Sequence, residues 1–246
     1  MKKIIQKNSG ASLFVVLMLC LILASCKKED YYIDSGVHDG TYEGSVYQYL
    51  KSKPAYFDTL SQVIDVAGMQ DVFENEEITF FAPPSSSIYK AVKSLNQYLR
   101  NDGKDTVSSL SQIKPEVWRE LLSLYIFEGK YMLKDFAQLD TLDLDAYAGQ
   151  GFVSSAGRPM NIGVIYNDAG NVKYSGYRQL WLSYINDFSS PKTSLINIPV
   201  ASSNIEPRNG AIHVLQYRNH LFGFTSSNFI LAATSKGITP LESEQD

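Results

Sequence analysis

The sequence predicts an α+β domain in which helices precede a block of strands. Two patterns carry that expectation. From Phe57 to Gly129, apolar residues recur at the three- and four-residue spacing of helix faces. From Gly149 onward, short β-prone runs are punctuated by turn residues. The two kinds of segment do not alternate along the chain, which argues against a doubly wound sheet.

Taken in order, Phe57, Leu60, Val63 and Ile64 share one helix face, Asp58 suits an N-cap, and Gly68 is placed to stop the helix. Ile78-Thr79-Phe80-Phe81 is a strand halted by Ala82-Pro83-Pro84, because proline cannot donate to a ladder. Ser85, Ser86 or Ser87 can cap a helix whose apolar face is Ile88, Ala91, Val92, Leu95, Tyr98 and Leu99, and Asn101-Asp102-Gly103 closes it. Pro115 opens a further helix through Val117, Trp118, Leu121, Leu122, Tyr125 and Ile126, ending before Gly129. Its wide apolar stripe implies burial on more than one side. Phe152-Val153, Ile162 to Tyr166, Val172 to Tyr174, Gln179 to Asn186, Ser194 to Val200 and Ala211 to Leu215 then read as strands. No internal repeat is visible, and a single domain is expected.

Ahead of the domain, Lys2, Lys3 and Lys7 precede an apolar run from Leu13 to Leu23. That run suits a signal-peptide core and is shorter than a comfortable membrane span of ~20 residues. It ends in Leu23-Ala24-Ser25-Cys26, which resembles a lipobox: small residues admit the signal peptidase and the cysteine sulfur takes the diacylglycerol. The alternative is an ordinary secretory signal cleaved near Ala24, with Cys26 a bystander. The order of charge, apolar run and cysteine favours lipidation of Cys26, and with it anchoring to membrane lipid. The expected division is a signal peptide over 1–25, a polar tether over 26–40, a domain over 41–224 and a C-terminal tail over 225–246. Lys27-Lys28-Glu29-Asp30 resembles the acidic signal that sends lipoproteins of Bacteroidetes-type bacteria to the cell surface, which implies an exposed outer-membrane location.

Cleavage before Cys26 removes three basic residues and no acidic one, so a formal charge of −4 becomes −7 for the mature chain. Nucleic-acid binding needs clustered Lys and Arg, and no such footprint is present. The other cysteine, Cys20, leaves with the signal, so no internal disulfide can form and an apolar core must supply the stability.

Three segments together resemble a fasciclin domain: Phe57-Asp58-Thr59-Leu60 with the helix to Gly68, Ile78-Thr79-Phe80-Phe81-Ala82-Pro83-Pro84-Ser85, and Asn209-Gly210-Ala211-Ile212-His213-Val214. The second is similar to the family's T-x-F-A-P-T-N segment and the third to its N-G-x-I-H-V. The resemblance spans roughly Thr41 to Phe224 and implies N-terminal helices packed on a mainly antiparallel β-sheet wedge. It also implies that His213 is structural, hydrogen-bonded within the domain, and that Asn209 and Gly210 form the turn before its strand. The sequence departs from the family in two places. Leu124-Tyr125-Ile126-Phe127 lacks the histidine that often follows tyrosine there, so residue-level adhesion claims do not transfer. Pro84 also replaces the usual threonine.

Chemical motifs are sparse. There is no Gly-x-Ser-x-Gly elbow, no His-Glu-x-x-His and no phosphate-binding glycine loop. Asp140, Asp143 and Asp145 lack the Gly and Glu of a Ca²⁺ loop and read as a solvated edge. No cofactor or metal is expected, and the chain is read as non-catalytic.

Tyr174, Tyr177, Trp181 and Tyr184 lie in the stretch from Tyr174 to Pro199 that exceeds the usual fasciclin length. They either fill a β-rich core, which the pattern favours, or present rings that stack on sugar faces. Asp58-Thr59-Leu60, Asp105-Thr106-Val107 and Asp140-Thr141-Leu142 resemble an O-glycosylation sequon, which marks Thr59, Thr106 and Thr141 as acceptors. The expected function is binding or adhesion at the cell surface. The second expectation is an accessory to an outer-membrane transporter complex for glycan uptake; a secreted enzyme ranks third. Expected partners are therefore an extracellular glycan or protein ligand, or that transporter.

Overall fold

A computed structural model describes residues 40–218 and 220–239. The expected signal peptide, Cys26 and all of the expected tether except Gly40 lie outside the described residues. The elements run β1 (Thr41–Tyr42), α1 (Val46–Ser52), α2 (Pro54–Ala67), α3 (Gln70–Asn75), β2 (Ile78–Ala82), α4 (Ser85–Asn101), α5 (Pro115–Leu122) and β3 (Ile126–Glu128). Then follow β4 (Gln138–Leu139), β5 (Gln150–Val153), β6 (Pro159–Tyr166), β7 (Arg178–Ile185), β8 (Leu195–Pro207), β9 (Gly210–Leu215) and α6 (Ser226–Lys236). Most helices precede most strands, the α+β arrangement the sequence predicts, although β1, β2 and β3 lie among the helices and α6 follows the last strand.

The helical faces fall where the apolar spacing puts them. α2 buries Phe57, Leu60, Val63 and Ile64 and starts on Pro54, whose fixed φ and missing N–H suit a first turn. It ends at Gly68, which is left-handed at φ 64, with the Gly68 and Met69 amides bonded back to Asp65 and Ile64. Because the helix opens four residues before Asp58, that aspartate lies inside it rather than capping it. In α4, Ile88, Ala91, Leu95 and Leu99 are buried, while Tyr98 points outward. Pro84 is the N-cap and supplies no side-chain bond; the Ser85 hydroxyl instead accepts from the Thr59 amide at 3.0 Å, joining α4 to α2.

The expected helix through Ile126 stops at Leu122. A 3₁₀ turn carries Tyr125 into the core, where its hydroxyl accepts the Gly223 N–H at 2.8 Å, and Ile126 pairs with Phe80 as a strand. Tertiary pairing of β-branched and aromatic residues overrides the helical spacing here.

The strands form a mixed sheet in the order β3-β2-β9-β8-β7-β6-β4, with β1 beside β8 and β5 beside β6. Antiparallel pairs are in the majority, and the parallel pairs are β1–β8, β2–β9 and β4–β6. The parallel partnership of β2 with β9 joins two distant segments in register, Ile78 opposite Gly210 through Ala82 opposite Val214.

Val172 to Tyr174 forms no strand; it belongs to a turn in which Tyr174 sits at φ 60. Tyr174 to Pro199 is not an appendage either. It builds β7 and the first part of β8, and buries Leu182, Tyr184 and Ile198.

The expected tail after Phe224 contains α6 and packs onto the domain. Thr225 caps the helix by accepting the Asn228 N–H, and Phe229, Ala232 and Ala233 are buried. The Phe229 ring lies 5.5 Å from Trp118 and 6.2 Å from Phe222. Ile238 then bridges to Ile113. The apolar side chains of this helix leave water only by docking, so the domain extends past residue 224.

Candidate functional site

Asn209, Gly210 and His213 are structural. The Asn209 amide oxygen accepts the Val46 N–H at 2.8 Å, and its nitrogen donates to the carbonyls of Phe73 and Glu76. One buried side chain thereby ties α1 and α3 to the start of β9. At Gly210 a Cβ would lie 1.9 Å from the Ile78 oxygen, so only glycine admits this approach of β9 to β2.

His213 is fully buried. Its Nδ1 accepts the Asn204 N–H at 3.3 Å, which leaves Nε2 to carry the proton and donate to the Tyr131 carbonyl at 2.9 Å. That Asn204 N–H is available because Asn204 sits at φ 63 in an irregular stretch of β8, out of the ladder. Burial depresses the His213 pKa to about 4, so the ring is neutral. Thr79, in the Ile78-Thr79-Phe80-Phe81 segment, grips the same loop: its hydroxyl donates to the Gly129 carbonyl and accepts the Tyr131 N–H. These residues hold the sheet together and leave no ring nitrogen or hydroxyl free for a ligand.

The four predicted aromatic residues do not form one face. Tyr174 lies over the Asp140 turn and donates its hydroxyl to that carboxylate at 2.9 Å, which raises its pKa to about 12. Tyr177 is exposed, Trp181 is half-buried on β7, and Tyr184 is buried. Tyr184 stacks on Phe224, which stacks on Tyr125, at 4.8 Å for each pair. It fills the core, as the pattern favoured.

Tyr184 does reach the floor of a cleft of about 360 Å³ between α5 and α6. There the Arg158 guanidinium lies 4.2 Å over the Tyr184 ring and 4.8 Å from Phe188, and donates to the Ile185 carbonyl at 2.6 Å. Its buried Nε has no hydrogen-bond partner. Glu120 and Lys236 pair across the cleft at 2.9 Å. Arg158 escaped sequence reading because a lone arginine after a glycine turn carries no motif.

The acidic residues of the 140–145 turn are engaged with groups of the chain itself. Asp140 accepts from the Leu142 amide and from Tyr174, and Asp145 pairs with Lys192 at 2.5 Å. Among the described residues no group of His, Cys, Asp and Glu is arranged to hold a metal. Thr59 lies within α2, Thr106 in the loop after α4, and Thr141 in an exposed turn beside Leu142. His220 is buried between Tyr125 and Phe224 with both ring nitrogens unpartnered, and burial beside Lys90 lowers its pKa to about 3.

A groove of about 550 Å³ lies between the first turns of α2 and α4 and the end of β9. Pro84, Val214 and Leu215 lie among its lining residues, together with Tyr56, Tyr217 and Arg218. Nothing in the sequence pattern brings Tyr56 and Tyr217 together; the parallel β2–β9 pairing does.

The family model for the fasciclin domain matches residues 55–217. A solved structure of a FAS1 domain pair from the insect cell adhesion molecule fasciclin I is similar to the chain at 16% identity and a TM-score of 0.44. The match covers 71% of this chain and 50% of that one, so this chain spans half the length of that relative. No curated protein matches. With the family match running from α2 to the residues just after β9, the chain belongs to the fasciclin domain family.

Proposed function

We propose that this protein is a non-catalytic binding or adhesion domain, held at the outer surface of a bacterial outer membrane by an acylated Cys26. The observation that carries the reading is the fasciclin domain itself, whose members are generally adhesion modules. The anchor rests on the N-terminal sequence, where a basic start, an apolar run and Leu23-Ala24-Ser25-Cys26 follow in the order that lipoprotein processing requires.

A second reading makes the protein an accessory of an outer-membrane polysaccharide uptake complex. The groove flanked by Tyr56 and Tyr217 favours it, because exposed rings suit sugar faces. The test of both is gentle detergent extraction of the native protein, followed by mass spectrometry of the protein and of whatever co-purifies. Lipid on Cys26 without a transporter partner supports the adhesion reading. A co-purifying transporter supports the uptake reading, and an unlipidated mature chain overturns the anchor.

A further inference from the structure

We propose that the groove between α2, α4 and β9 is a binding site for an acidic oligosaccharide, a chain of uronate-type sugars. The proposal rests on the reading of this protein as a binding domain and names where it binds and what.

Three features of the groove select that ligand. The first is its rings. Tyr56 and Tyr217 line the groove with 65% and 54% of their surface exposed, so both rings can present a face to a ligand there. Apolar walls from Pro84 and Leu215 accompany them, so the groove offers flat carbon surface to the flat face of a sugar ring.

Charge is the second. Arg218 lines the groove, and its Nε donates to the Tyr217 hydroxyl at 3.2 Å. Lys90 does not line the groove but adds positive charge beside it, with Nζ 5.9 Å from the Tyr217 ring and bonded to the Tyr217 and Arg218 carbonyls. Neither cation is in an ion pair among the described residues, although the chain as a whole is acidic. Among the described residues no acidic side chain lines the groove. A carboxylate-bearing ligand supplies the missing counter-charge.

The third feature is topological. An extended acidic peptide would gain most of its affinity by adding to a free strand edge. β9, which ends in the groove, is already paired with β2 on one side and β8 on the other. The groove therefore recognises rings and charges rather than a backbone.

The test titrates the full-length protein in detergent with tetragalacturonate by calorimetry. Maltotetraose serves as the neutral control and hexaglutamate as the peptide control. The expected result is binding of tetragalacturonate that weakens with salt, and that falls about tenfold or more in Tyr217→Ala and in Arg218→Gln. Tyr56→Phe, which keeps the ring, should bind as the parent does, whereas Tyr56→Ala should not. All these side chains are exposed, so an unchanged urea midpoint shows each variant folded. Failure of tetragalacturonate to bind, equal binding of hexaglutamate, or binding indifferent to the three disruptive substitutions overturns the proposal. If those variants still co-purify with the native partner, the groove assignment falls while the binding-protein reading stands.

Discussion

Asn209 satisfies three backbone groups from one buried amide, and these groups have no water to turn to when the side chain is removed. Asn209→Ala is expected to lower the unfolding free energy by about 3 kcal/mol or more, read as a shifted urea midpoint at unchanged slope. The buried histidines make stability depend on pH in a calculable direction. Their folded pKa values, about 4 for His213 and about 3 for His220, lie below the ordinary 6.5. Between those limits the unfolded chain binds protons that the folded chain refuses, so stability is complete above pH 6.5 and declines as the pH falls. The loss from pH 7 to pH 5 is on the order of 2 kcal/mol for each histidine. His220→Phe, which replaces two unpartnered nitrogens with carbon, should remove about half of that loss in urea titrations at the two pH values. At this scale the sequence revealed Asn209, Gly210 and His213 through the N-G-x-I-H-V pattern. It did not reveal Thr79 and His213 holding one loop, because their meeting depends on register between strands far apart in the chain.

Among elements, the helices were legible wherever one face was buried, as in α2 and α4, because the 3.6-residue period survives in the sequence. The stretch Leu122 to Phe127 was not, since the same apolar residues satisfy a helix stripe or a turn followed by a strand, and only pairing with Phe80 and Thr79 decides. α6 was missed for a related reason. Its apolar residues form one consecutive run, Phe229 to Ala233, without helical spacing, and their value comes from Trp118 and Phe222, which sequence alone does not place beside them. Phe229→Ala should therefore cost about 3–5 kcal/mol, measured by chemical denaturation, because it empties a site walled by two large rings. The candidate groove was illegible for the same cause. Tyr56 belongs to α2 and Tyr217 follows β9, and neither segment hints at the other.

For the whole molecule, the cysteine arithmetic gives a plain expectation. The only cysteines are Cys20 and Cys26, both ahead of the described domain, so the domain's thermal midpoint should be the same with and without reductant. A drop on reduction would show an intermolecular disulfide and count against acylation of Cys26. The sheet's wiring carries a different consequence. β2 lies between β3 and β9, and Asn209 bonds Val46 across a sequence separation of 163 residues. The first part of the domain therefore cannot complete its sheet until nearly all of the chain has been released. A protein threaded through a translocation channel amino end first would wait, open and unpaired, for its last third to arrive. Pairing between segments this far apart places refolding in the slow range of about milliseconds to seconds, so a chain emerging amino end first stays unpaired until its last strands follow.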